Sequence, residues 1–284
     1  MDSLKIMLLV GIAFLALLII SGGSTSISSC IALVPLEGAI TYSSSGSGVV
    51  SAVEFQQRLQ QADDDPQVKS ILIEINSPGG SSAASKEIFE AIRSTKKPTI
   101  AFLSEVAASG GYYAAAGTDY VIANPNVLTG SIGARATLLN YRDLFDKIGL
   151  REESIVSGDK KDIGSGYRNL TDEERQILTN LIDESARLFE QDVRLGREGK
   201  LKEGLFLQAL DARVLSASQA LNTGLIDEVG IRQKALDKAG ELGGVQGKET
   251  CSFAPTQPSL LDLFSSFESF LNPVKSKVSL DYRS

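Results

Sequence analysis

The apolar run Ser70-Ile71-Leu72-Ile73-Glu74-Ile75 passes directly into Asn76-Ser77-Pro78-Gly79-Gly80-Ser81 and on into a helical pattern reaching Arg93. A strand that ends in Pro-Gly-Gly and feeds a helix leaves the first N–H groups of that helix without intrahelical acceptors. The pattern recurs. Lys97-Pro98 breaks the chain before a strand from Thr99 to Leu103, the small-residue run Ala107 to Gly117 suits a tightly packed helix, and Tyr120 to Ala123 is again a strand. Ile31 to Leu36 reads as a buried strand, and a helix follows it, ending near Asp63-Asp64-Asp65-Pro66. Strand and helix in strict alternation predict an α/β fold built on parallel strands.

After Gly133 the pattern changes. Leu138 to Ile148 looks helical and Glu153 to Val156 extended. Thr171-Asp172-Glu173-Glu174 is a capping box opening a long amphipathic helix towards Arg197, and a last helix, Ala217 to Thr223, stops at Gly224. This places a globular domain at 31–240, with a looser tail at 241–284. In that tail Leu260, Leu263, Phe264, Phe267, Phe270 and Leu271 share one helical face before Pro273.

At the other end, Ile6 to Ile20 is apolar apart from Gly11. With Leu4 and the small residues up to Gly23 it approaches the ~20 residues that a spanning helix needs. The segment 1–23 reads as an uncleaved membrane anchor in preference to a cleaved signal peptide, with a linker at 24–30. Lys5 precedes the apolar run and the next basic residue is Arg58, so the positive-inside rule puts the rest of the chain outside the cytoplasm. The expected location is the cell membrane, single-pass. A net charge of −7 without a basic stripe excludes nucleic acid as a partner. Cys30 and Cys251 form no CxxC, and nothing in their spacing demands a disulfide.

The chain contains no histidine. A Ser-His-Asp triad and a zinc site of the usual kind are therefore excluded, and a serine nucleophile would need a different base, for which lysine is the usual substitute. Ser109 sits among Ala107, Ala108, Gly110 and Gly111, residues with almost no side chain, about thirty positions after Pro-Gly-Gly. On its own it would be a helix N-cap. Paired with the upstream turn it is a candidate nucleophile, with backbone N–H groups at Gly79 or Gly80 and at Gly110 as candidate oxyanion donors. Lys160 and Lys161 are the candidate bases, and spacing does not choose between them. Ser131, in Leu128-Thr129-Gly130-Ser131-Ile132-Gly133, is a hydroxyl that could hold a neutral lysine.

Five segments in this order resemble signal peptide peptidase A, the protease IV family. They are Ile-Asn-Ser-Pro-Gly-Gly at 75–80, Ala-Ser-Gly-Gly-Tyr-Tyr at 108–113, Leu-Thr-Gly-Ser-Ile-Gly at 128–133, Lys-Asp-Ile-Gly-Ser at 161–165 and the stretch 216–230 ending Leu-Ile-Asp-Glu-Val-Gly. The opening strand at 31–40 is similar too. The resemblance covers about 31–235. It implies a Clp protease/crotonase-like fold of repeated ββα units, and a serine endopeptidase in which Ser109 is the nucleophile, Lys161 the general base and Ser131 the hydroxyl that orients it. Gly79, Gly80 and Gly110 match the oxyanion region. The resemblance also implies peptide substrates, namely remnant signal peptides, no cofactor or metal, and a homo-oligomeric ring of about eight in which neighbouring subunits complete each Ser–Lys pair. Alternatives on the same fold are a membrane-bound Clp-class protease acting beside stomatin-like proteins, a non-catalytic membrane scaffold, and a crotonase-like acyl-CoA enzyme. Gly166 stands where relatives often have proline, and a looser loop is expected there.

Overall fold

The computed structural model describes residues 29–43, 48–245 and 249–255. The anchor at 1–23 and the apolar face at 260–271 lie outside the described residues. Among the described residues no helix is long and apolar enough to cross a membrane.

The chain opens with β1 (Cys30–Glu37), β2 (Ala39–Thr41) and β3 (Val49–Ser51), then α1 (Ala52–Asp64), β4 (Val68–Ser77), α2 (Ser82–Arg93), β5 (Thr99–Ala108), α3 (Gly110–Ala116), β6 (Tyr120–Ala123) and β7 (Leu128–Gly130). There follow α4 (Arg142–Ile148), α5 (Asp172–Gly196), α6 (Glu203–Ala209), β8 (Val214–Ser216), α7 (Ala217–Thr223), β9 (Glu228–Val229), α8 (Arg232–Gly243) and β10 (Thr250–Ser252).

The main sheet runs β10-β1-β4-β5-β6-β9, all parallel, with β7 continuing beside the far end of β5 and β8 antiparallel to β7. A second small sheet pairs β2 with β3. The expected α/β architecture with parallel strands is the observed one. Its strands are apolar on both faces because helices cover both. Ile71, Ile73 and Ile75 of β4 join the large core beneath α1, α2 and α3, while Leu72 points the other way into a smaller core closed by Ala235, Leu236 and Ala239 of α8. The sheet takes in β10, beyond the boundary at 240 read from sequence.

Three local readings differ from expectation. The helix after Leu138 is confined to Arg142–Ile148, and 153–156 has no regular structure. This whole stretch is an arm, since no residue from 135 to 161 is buried, so no core selects a conformation for it. The loop at Gly166 is tight where a looser one was expected. Gly166 is buried, its carbonyl accepts the Tyr141 N–H at 2.8 Å, and a Cβ there would lie 2.3 Å from the Tyr141 ring. Finally, Cys30 and Cys251 form a disulfide, with Cα atoms 5.8 Å apart. The parallel pairing of β1 with β10, which sets Ala32 opposite Cys251, brings together two residues that are 221 positions apart in sequence.

Candidate active site

β5 ends at Ala108, and the chain turns through Ser109 into α3. Ser109 has φ 54° and ψ −123°, a backbone conformation that side-chain-bearing residues rarely adopt. Such strain costs about 1–3 kcal/mol and persists only where the surroundings impose it. Here two neighbours do so. The Ser109 N–H donates to the Gly130 carbonyl at 2.9 Å, fixing the turn to the end of β7. From the other side Gly79, at φ 94°, presses its Cα against the turn. A Cβ at 79 would stand 2.5 Å from the Gly110 nitrogen and 2.9 Å from the Ser109 Cβ. A Cβ at 110 would in turn meet the Ser85 Oγ at 2.2 Å. The small residues around Ser109 are thus required by the close approach of two backbones.

The Ser77 hydroxyl decides which upstream N–H is free. It donates to the Gly38 carbonyl at 2.6 Å and accepts the Gly79 N–H at 3.1 Å. Gly79 is therefore spent holding the turn. The next turn is bridged to β2, with the Ile40 N–H donating to the Gly79 carbonyl and the Ser81 N–H to the Ile40 carbonyl, both at 2.9 Å. The N–H groups of Gly80 and Gly110 have no acceptor among the described residues. Two orphan donors lie near a half-buried serine at a strained elbow, an arrangement suited to an oxyanion.

Ser131 follows Gly130, whose carbonyl accepts the Ser109 N–H, and its own N–H donates to the Arg213 carbonyl at 2.9 Å. It also has a positive φ, 54°. Ser109 and Ser131 thus follow the paired ends of β5 and β7, and the Ser109 N–H extends that pairing by one hydrogen bond. Lys161 is not brought there within the chain. It is exposed, sits in the turn closed by its N–H on the Gly158 carbonyl at 2.9 Å, and its amine makes no hydrogen bond to Ser109 or Ser131. Its neighbour Lys160 is paired with Glu173 at 2.6 Å, and that hydrogen bond raises its pKa and holds the proton on it. Of the two lysines, Lys161 is the one whose amine has no partner among the described residues.

Behind the elbow lies a polar clamp that the sequence did not announce. Asp192 of α5 is buried, accepts from the Lys86 amine at 2.7 and 2.9 Å, and takes the Tyr113 hydroxyl in a short hydrogen bond. The Tyr113 ring stacks on Phe189 with centroids 4.2 Å apart. Burial, reinforced by Asp192, pushes the Tyr113 phenol well above its ordinary value, and burial does the same to Tyr112, whose hydroxyl donates to the Leu225 carbonyl at 2.7 Å. Both tyrosines beside Ser109 are neutral struts.

A strained serine at a strand-to-helix elbow, with orphan N–H donors nearby on a mostly parallel α/β core, is the arrangement of the serine-nucleophile class of hydrolase folds. The comparisons with known proteins agree. Peptidase family S49 matches residues 91–246, which include Ser109, Ser131 and Lys161, and the Clp protease family matches 37–129. The chain belongs to peptidase family S49, with the Clp protease/crotonase-like fold expected from its motifs. A provisionally assigned protease of Methanocaldococcus jannaschii is 34% identical, over 69% of this chain and 63% of its own. A provisionally assigned signal peptide peptidase of Enterococcus faecium is 33% identical, over 64% of this chain and 54% of its own. The chloroplastic serine protease SPPA of Arabidopsis thaliana is 31% identical, over 68% of this chain and 29% of its own. The match thus takes in just over half to under two thirds of the first two relatives and under a third of the last.

Proposed function

We propose that this chain is a membrane-anchored serine endopeptidase acting through a Ser109–Lys161 dyad, with remnant signal peptides as substrates. The observation that carries the reading is the elbow. Ser109 has a strained backbone, Gly79 packs against its turn, and the N–H groups of Gly80 and Gly110 are left without acceptors among the described residues. In the reaction a neutral Lys161 amine takes the Ser109 hydroxyl proton as the oxygen attacks a peptide carbonyl. The resulting oxyanion accepts from Gly80 and Gly110. Lys161 then protonates the departing amine, and afterwards activates water to release the acyl group. Ser131 donates the hydroxyl that orients the amine.

An ordinary lysine is protonated at pH 7, and bringing its pKa to ~7–8 asks roughly 4 kcal/mol of its surroundings. A neighbouring copy is the means of supplying them. The arm that bears Lys161 exposes Leu139 (77%), Ile148 (63%) and Ile155 (98%), a degree of apolar exposure suited to burial against another subunit. In a ring of about eight, each arm would seat its lysine on the serine of the next copy. The disulfide suits an oxidising compartment, which supports a catalytic domain outside the cytoplasm.

The deciding experiment labels the purified chain with a fluorophosphonate probe beside Ser109→Ala and Lys161→Ala. Labelling and peptide hydrolysis are expected to vanish in both variants while the assembly survives. Turnover retained in either variant would remove the dyad.

A further inference from the structure

Asp162 follows Lys161 directly, and its carboxylate is fully engaged. The Arg168 guanidinium donates to it at 2.7 and 3.0 Å, and the Tyr167 hydroxyl at 2.5 Å. The same guanidinium also donates to Glu174, at 2.6 and 2.8 Å, and to the Asn169 carbonyl at 3.2 Å. Glu174 is the capping-box residue in the first turn of α5, and its side chain is only 3% exposed. Arg168 is therefore a fork between the lysine turn and the long helix, a geometry that lysine cannot reproduce.

The far end of that helix is fixed to the nucleophile. Asp192 and Phe189 hold Tyr113 of α3, and Gly196 packs so closely that a Cβ there would lie 1.9 Å from the Ala116 carbonyl oxygen. At 1.5 Å per residue, Glu174 and Asp192 are about 27 Å apart along one continuous helix. The fork thus ties the lysine turn to the same rigid element that anchors the serine helix.

We infer that Arg168 is a positioning residue for Lys161, holding its turn against α5 and keeping the neighbouring carboxylate of Asp162 turned away from the lysine amine. The inference rests on Lys161 being the base. Among the described residues, the charged and titratable groups around the turn are Asp159, Lys160, Asp162, Tyr167 and Arg168 beside Lys161 in the chain, Tyr141 and Glu152 from earlier in the arm, and Glu173 and Glu174 from α5. Lys160 and Glu173 neutralise one another. Arg168 faces two carboxylates, and its hydrogen bonds hold the Glu174 carboxyl down at about 2 and that of Asp162 lower still. Both carboxyls are held in the anionic form, and among the described residues the guanidinium is the cation that pairs with the charge next to Lys161.

The test is the pH dependence of kcat/KM for peptide hydrolysis by the full-length chain, with wild type, Arg168→Gln, Asp162→Asn and Lys161→Ala in parallel. The rising limb of the profile reports deprotonation of the base. Arg168→Gln leaves Asp162 uncompensated and is expected to move that limb to higher pH by about half a unit or more. Asp162→Asn removes the negative charge and is expected to move it to lower pH. A role confined to stability would lower the rate without moving either limb, and two unmoved limbs in assembled variants would overturn the inference. Should Arg168→Gln fail to fold, the direction of the Asp162→Asn shift decides alone. An active Lys161→Ala would instead overturn the dyad itself, so the two failures are distinct.

Discussion

Replacing Asp227 with asparagine changes little in shape but strips the counter-charge from Arg197, the largest fully buried side chain of the described residues. Arg197 donates to the two Asp227 carboxylate oxygens at 2.8 and 2.9 Å and to the Gly224 carbonyl at 3.1 and 3.2 Å. Asp227 also accepts the Val121 N–H at 2.7 Å and pairs with Lys200 at 3.1 Å. The aspartate therefore joins α5, the turn after α7 and the start of β6. Removing one partner of a buried pair costs about 3–5 kcal/mol, because the other charge stays buried and unpaired. With a urea m-value of about 2.5 kcal/mol/M, the midpoint should fall by about 1–2 M. Acid adds a second readout. Burial alone would raise the Asp227 pKa, but its hydrogen bonds and charge pairing with Arg197 outweigh burial and hold it below the ordinary value. A folded pKa below the unfolded one contributes stability that is present above pH ~4 and is lost as pH falls through the folded value. The gap between wild type and Asp227→Asn should therefore narrow below pH ~4. Urea melts at pH 7 and at a series of acidic pH values measure both effects. A variant within about 0.5 kcal/mol of wild type at pH 7, or a gap that widens in acid, would refute the reasoning.

Gly79→Ala forces a side chain onto the Gly110 nitrogen at a position of positive φ, and should slow fluorophosphonate labelling about 10²–10³-fold, as loss of an oxyanion donor does. An unchanged labelling rate would disprove the close approach. Cys251→Ser opens a loop of 221 positions, and the chain-entropy relation gives up to ~5 kcal/mol of lost stability, to be read by urea unfolding. Reductant should destabilise wild type and leave the variant unchanged. Leu139→Asp combined with Ile155→Asp should dissociate the proposed ring in light scattering and abolish hydrolysis together, whereas an unchanged mass would free the arm of any role in assembly.

The sheet was legible because parallel strands buried on both faces leave long apolar runs, and because Pro78-Gly79-Gly80 and Gly224 punctuate them. The serine elbow was legible for a related reason, since only small residues fit where Gly79 and α3 meet. The choice between Gly79 and Gly80 was not, because it depends on where the Ser77 hydroxyl points, and sequence does not give a rotamer. Spacing left Lys160 and Lys161 equivalent and only the family resemblance favoured Lys161; the Lys160 pairing with Glu173, thirteen residues away and on another element, is not readable from spacing. The Asp192 clamp was invisible because the topology alone brings its side chains together, and the Arg168 fork, though its partners are six residues away on either side, depends on a side-chain direction that sequence does not give. The disulfide was missed because its two cysteines become neighbours only once β10 has joined the edge of the sheet, at the very end of the domain.

That sheet-edge bond also governs what a cut does to the molecule. Residues 30–251 form a covalent circle, and among its described residues the arm from 135 to 161 is a long stretch without a buried residue. A protease that nicks the arm anywhere between Arg135 and Lys160 leaves Ser109 on one fragment and Lys161 on the other, yet the two remain a single molecule. The nicked protein runs at full mass on a non-reducing gel and falls into two bands when reduced, so its integrity is set by redox state as much as by cleavage.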